Sequence, residues 1–236
     1  MCTVTYIPLK NGFVLTSSRD EQVARPTLKP TLYNRSNGST LIYPKDKIAG
    51  GTWIAMDNSK KMSCLLNGGF VNHEKLHCYS KSRGVVLLDF FDRINISDFI
   101  STIQLADVEP FTLLLIDTQN GFEFKELVWD GNLKHVASKE FITATIWSSS
   151  TLYSEKDRLL RNRWFSEWID KNDQEEDFNI LNFHAVKHSD NCANDVLMNR
   201  NDTLKTVSIS QIKVINNTFT FLYHDLLDKS HSVIHL

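Results

Sequence analysis

The spacing of the apolar residues changes in blocks along the chain, and the order of those blocks constrains the fold more than any other feature. Residues 2–7 alternate, with Thr3 and Thr5 against Val4 and Tyr6, and residues 13–16 follow as a second short run. Alternation at period two assigns one set of side chains to each face of a strand. Lys10-Asn11-Gly12 lies between the two runs and predicts a hairpin, with Asn-Gly in the left-handed dihedrals of a tight turn. Residues 25–50, with Pro26, Pro30, Pro44 and Asn37-Gly38, are expected to be loop. Strands are expected at 52–56 and 62–66. From Ser82 the spacing lengthens: Val85, Leu88, Phe91 and Ile94 form one stripe of a helix, and Ser97 is placed to cap a second through Leu105. Residues 111–117, 122–129 and 141–147 return to strand. Residues 154–169 form the clearest helix, with Leu160, Trp164 and Trp168 four apart, and another is expected near 178–186. Residues 206–215 and 218–224 close the chain as a hairpin around Asn216-Asn217. Strands, helix pair, strands, helix pair, strands is an α+β order. Two stacked antiparallel sheets with helices outside bury it, and 236 residues suit a single domain over 1–236.

Several function classes drop out on charge and composition. The formal net charge is −2, so no general basic surface is expected for nucleic acid or anionic membrane. No apolar run approaches the roughly 20 residues of a membrane span, and the start has no basic segment followed by an apolar one. Cys2, Cys64, Cys78 and Cys192 show neither paired nor zinc-ligand spacing. Free thiols in a reducing cytoplasm are the expectation, with a small molecule as the partner. His73 and His77 are four apart, as are His184 and His188, but neither pair has an evident third ligand, so no metal is expected.

The chemistry-bearing residues gather at the start. Cysteine is small enough for Met1 to be removed, which leaves an α-amine and a thiol on one residue. Their ordinary pKa values are about 8 and about 8.5, so the amine can act as base for its own thiol. A nearby arginine favours the thiolate and a carboxylate orients the amine. The hairpin carries Ser17-Ser18-Arg19-Asp20-Glu21 back past Cys2, which makes Arg19 and Asp20 the candidates. The plainer alternative is an edge-strand cysteine and a solvated turn.

Met1-Cys2, Ser18-Arg19-Asp20-Glu21 with Arg25-Pro26, Gly50-Gly51-Thr52-Trp53, Leu65-Leu66-Asn67 and Ser82-Arg83-Gly84 occur in this order. The set resembles the transport and Golgi organisation protein 2 family, also called the NRDE-motif family, over the first third of the chain, and the rest by layout. Ser18 stands where the motif usually has asparagine. That family is similar to cysteine N-terminal-nucleophile hydrolases such as penicillin V acylases and bile salt hydrolases. The resemblance implies a four-layer αββα sandwich, Cys2 as nucleophile, Arg19 as thiolate stabiliser, Asp20 as orienter of the amine and Asn67 as oxyanion donor. It also implies two departures. Trp147-Ser148-Ser149-Ser150-Thr151 has no asparagine where the acylases place a second oxyanion donor, and Asp202-Thr203-Leu204-Lys205-Thr206 keeps the threonines of an Arg-Thr-x-Thr-like segment without the arginine. The family's links to haem movement and acyl-CoA handling imply, ahead of hydrolysis, a cytosolic protein that binds or transfers a hydrophobic anionic ligand over Cys2, Arg19 and Asp20, with hydrolysis of a linear amide or thioester by Cys2 as the alternative. Arg25, Trp53 and Trp147 are the candidates to line the ligand's pocket, with no cofactor required.

Overall fold

The computed structural model describes residues 3–172 and 179–236. In chain order the strands are β1 (Thr3–Leu9), β2 (Gly12–Gln22), β3 (Thr27–Asn34), β4 (Thr40–Asp46), β5 (Ile54–Asp57), β6 (Lys61–Asn67), β7 (Phe111–Asp117), β8 (Glu123–Trp129), β9 (Lys134–Ser138), β10 (Thr145–Ser148), β11 (Asn199–Arg200), β12 (Leu204–Ile215), β13 (Thr218–Asp225) and β14 (His231–His235). The α-helices are α1 (Arg83–Asp89), α2 (Ile96–Thr102), α3 (Glu155–Lys171) and α4 (Leu181–Ala185). The α+β class is as expected. The chain divides into two compact units, one of Met1–Arg25 with Ile142–Leu236 and the other of Pro26–Phe141.

The first unit is built on a sheet ordered β10-β1-β2-β12-β13-β14, with β11 paired to β12. On one face, Ile7, Val14 and Ile146 pack with Phe165 of α3 and Phe183 of α4. Ser154 caps α3 in a reciprocal box with Asp157, which satisfies two amide donors at the helix start. The stripe expected of this helix is only partly right. Trp164 and Trp168 pack on the core, Leu160 is 39% exposed, and the fully buried residue of that turn is Arg161.

β2 is longer than its apolar pattern indicates. Residues 17–20 are polar, yet all are buried and continue the strand, because β12 pairs with β2 from Gly12 to Gln22. Arg19 and Asp20 therefore belong to a central strand and not to a solvated turn. The first hairpin also differs in detail, since none of Lys10, Asn11 and Gly12 takes a positive φ. Gly12 is required by proximity: a Cβ there would lie 1.8 Å from the Val214 carbonyl oxygen. A left-handed pair occurs instead at Asn216 and Asn217, with φ of 49° and 63°, where β12 turns into β13.

The second unit is a meander, β3-β4-β5-β6-β7-β8-β9. β3 and β4 occupy the segment expected to be loop. Proline is tolerated because β3 is an edge strand and its register shifts between Leu28 and Thr31, around Pro30. Ser82 caps α1 as its position suggests, accepting from the Val85 amide. The helix gives way to a 3-10 turn at Phe90–Asp92, and Ile94 is exposed. α2 is capped by Asn95, whose Oδ1 accepts from the Asp98 amide at 2.8 Å, and not by Ser97. The glycines of two motif pieces meet here. A Cβ on Gly51 would lie 2.4 Å from the Gly84 carbonyl carbon, and one on Gly84 would lie 2.6 Å from the Thr52 carbonyl oxygen. The Thr52 amide donates to the Gly84 carbonyl at 3.2 Å, so this close approach seats the start of α1.

Candidate functional site

The site is best built from β2 outward. Thr3, the first described residue, lies opposite Ser18 on β2 and opposite Ser148 on β10. Cys2 and Met1 fall outside the described residues. Arg19 and Asp20 are successive strand residues, so their side chains leave opposite faces of the sheet.

Both oxygens of Asp20 are held. The Tyr153 hydroxyl donates to Oδ2 at 2.7 Å and the Thr206 hydroxyl donates to Oδ1 at 2.6 Å. Thr206 Oγ1 in turn accepts from the Met198 amide at 2.9 Å. Hydrogen bonds to a carboxylate are shorter and stronger than neutral ones, and here all three side chains are buried. Thr206 is the last threonine of the segment that lacks the expected arginine. Arginines reach the same place from elsewhere: the Arg161 guanidinium lies 3.5 Å over the Tyr153 ring, and that of Arg200 lies 5.8 Å from it.

Arg161 links this cluster to the start of β1. It donates to the Thr3 hydroxyl and the Asp195 carbonyl, and to the Asn194 carbonyl at 3.1 Å. A second link comes from α4. His184 is fully buried, with Nδ1 2.8 Å from the Ser18 hydroxyl and Nε2 2.8 Å from the Thr5 hydroxyl. Burial pushes its pKa down to about 3, and the charges of Arg161 and His188 act in the same direction. The imidazole is thus neutral, donating from one nitrogen and accepting at the other. It ties β1 to β2 at the residue that replaces the motif asparagine. Tyr153 and Arg161 are the residues that sequence reading missed, and His184 stood out there only as half of a histidine pair. Only the buried position of Arg161 beside two tryptophans on one helix could have signalled either of the first two.

The other expected residues are distributed as follows. Arg19 is 2% exposed and donates to the Arg25 carbonyl at 3.4 Å. Arg25 is half-buried and pairs with Glu21 at 3.7 Å. Trp147, on β10, is half-buried and lies opposite Val4. Ser149 is buried, and its hydroxyl is shared with Thr151 at 2.9 Å. Asn67 and Trp53 belong to the second unit. Asn67 ends β6 opposite Phe111, the strand end expected of it, and Trp53 is buried in the core. Among the described residues no group of three or more His, Cys, Asp or Glu side chains is placed to hold a metal ion. No helix among them is long and apolar enough to cross a membrane.

Mostly antiparallel sheets with few helices, and a buried Arg19 and Asp20 on the second strand of the first hairpin, belong to a fold shared by solved N-terminal-nucleophile hydrolases. Conjugated bile acid hydrolase from Clostridium perfringens, solved as a variant, shares the fold with a TM-score of 0.61 at 10% identity, over 99% of this chain and 92% of that one. Penicillin V acylase from Agrobacterium tumefaciens gives 0.57 at 10% identity, over 100% and 86%. The N-acylethanolamine-hydrolyzing acid amidase ortholog of Caenorhabditis elegans gives 0.57 at 9%, over 92% and 93%. Within that fold the sequence is more specific: the model of the Transport and Golgi organisation 2 family matches residues 1–226, and the chain belongs to that family. No curated protein matches the sequence.

Proposed function

We propose that this chain is a cysteine hydrolase of a small acyl amide or thioester, with Cys2 as its nucleophile. The observation that carries the reading is the grip on Asp20. A buried carboxylate held through both oxygens by Tyr153 and Thr206, two residues along the sheet from the partner of Thr3, is what fixing an N-terminal amine requires. The solved structures that share the fold support it, since those named above are hydrolases or acylases.

In the proposed reaction Met1 has been removed. The Cys2 thiol passes its proton to its own α-amine, and the sulfur attacks the acyl carbon. The carbonyl oxygen takes the negative charge. The carbon–nitrogen or carbon–sulfur bond then breaks, and the ammonium returns the proton to the leaving amine or thiol. Water, deprotonated by the same amine, cleaves the acyl-enzyme to a carboxylic acid and restores the thiol. Arg19 favours the thiolate by its charge.

A second reading has its own observation. Residues 147–151 offer hydroxyls and no carboxamide, and the Ser149 hydroxyl is already shared with Thr151. That favours a protein that holds or transfers a hydrophobic anionic ligand, haem or an acyl-CoA, in the cytoplasm, with Arg25 and Trp147 lining its pocket. Decanoyl-CoA separates the two. Release of free coenzyme A, abolished by Cys2→Ala, supports hydrolysis. Saturable binding without release, unaffected by Cys2→Ala, supports the carrier and refutes the hydrolase.

A further inference from the structure

One face of the β2–β12 pair changes character along its length. The register sets Leu15 opposite Ile212, Ser17 opposite Ser210 and Arg19 opposite Ser208. Side chains opposite one another in an antiparallel pair share a face, with Cβ atoms about 4.5–5.5 Å apart. The rows extend onto the neighbouring strands. Tyr6 and Phe221 flank the Leu15 row, and Val4 and Tyr223 flank the Ser17 row. Trp147 lies opposite Val4 and lengthens that second row onto β10. The face therefore passes from apolar, to hydroxyl, to guanidinium within three rows.

Ser17 and Ser210 are fully buried, and among the described residues neither hydroxyl has a hydrogen-bond partner. A buried hydroxyl left in that condition weakens a fold. Two of them facing each other across one strand pair, next to a buried arginine, are not explained by packing, since alanine fills such a position without the penalty. Destabilising polar groups persist where they serve a ligand. Burial pushes the Tyr223 hydroxyl, at the end of the same row, up to about 12, so it too stays protonated and able to donate at neutral pH.

We infer that Ser17 and Ser210, with Arg19 beside them, form a subsite for the carboxyl-derived oxygen of an acyl chain. The two hydroxyls donate to that oxygen, the guanidinium supplies positive charge, and the adjoining row of Leu15 and Ile212, itself fully buried, has the apolar character an alkyl segment needs. The inference deepens the proposed function by naming the part of the substrate this face recognises, and it rests on that reading for the substrate class. It does not require Cys2 to react.

The test is calorimetric titration of the full chain with decanoate and with decanamide, each in a Cys2→Ala background as well as the unaltered chain. Replacing both serines, Ser17→Ala with Ser210→Ala, should raise the Kd for the bound probe at least ~10-fold, the effect of losing hydrogen bonds to a polar ligand. The same change should raise the Tm of the unliganded protein, because two unsatisfied hydroxyls are gone. Ser17→Thr, which keeps the hydroxyl, should restore most of the affinity. Tighter binding of decanoate assigns a carboxylate, and equal binding assigns an acyl carbonyl. An unchanged Kd, a fall in Tm accompanying the loss of affinity, or binding of neither probe overturns the subsite. Serine-dependent binding with an inert Cys2 would leave the subsite standing while the hydrolase reading fails.

Discussion

Replacing His184 by glutamine should flatten the acid limb of the stability curve. His184 is fully buried between the Ser18 and Thr5 hydroxyls, and burial holds its pKa near 3 against an ordinary 6.5. In the unfolded chain it takes up a proton as the pH falls below 6.5, while in the folded chain it stays neutral until about 3. The unfolded state therefore binds more protons throughout that window. The stability His184 contributes is fully present above its unfolded pKa and is lost as pH falls through the window. The slope approaches about 1.4 kcal/mol per pH unit. Between pH 6 and pH 4 the wild-type chain should lose roughly 2–3 kcal/mol on this account alone. Other groups titrate there too, but they cancel in the difference between two proteins that vary at one site. Urea unfolding at several pH values in that range measures it. His184→Gln should be destabilised at pH 7, where it replaces two 2.8 Å contacts with poorer ones, and the gap to wild type should narrow by roughly 2–3 kcal/mol towards pH 4. Parallel curves would refute a neutral, buried imidazole at this position.

Tyr153→Phe keeps the ring under Arg161 and removes only the donor to Asp20, so unfolding should become easier by about 1.5–3 kcal/mol, and kcat for any acyl substrate should fall with KM little changed. Thr206→Val removes the other donor and should act similarly; the two changes together should cost less than their sum, because both act on one carboxylate, which a double-mutant cycle of denaturation free energies reads directly. Gly84→Ala forces a methyl to within 2.6 Å of the Thr52 carbonyl, and chemical denaturation should show a loss of about 1–3 kcal/mol from the strained contact.

The sequence was most legible where local periodicity and burial agree. β7 is legible to its ends, and the last hairpin, the helix starts at Ser82 and Ser154, and the α+β order all follow from spacing. It was least legible where neighbours override local pattern. β3 and β4 carry prolines that an edge strand and a shifted register accommodate, and nothing local reveals either. β9 and β14 are edge strands with mostly exposed residues, so alternation is weak. The polar half of β2 is strand only because β12 lies beside it. Arg19 and Asp20 could be nominated from residue type, but their partners could not. Tyr153, Arg161, His184 and Thr206 converge from positions 133 to 186 residues away in the chain, and convergence at that range is a property of topology.

The hydrolase reading stands or falls on whether Cys2 reacts. Intact mass of the purified chain after brief exposure to decanoyl-CoA at neutral pH tests it most directly. A reactive Cys2 gives a chain lacking Met1 that gains one decanoyl group, mapped to Cys2 by fragmentation, lost on standing and absent in Asp20→Asn. A chain that retains Met1, or one whose adduct falls on Cys78 or Cys192 as readily as on Cys2, would contradict it.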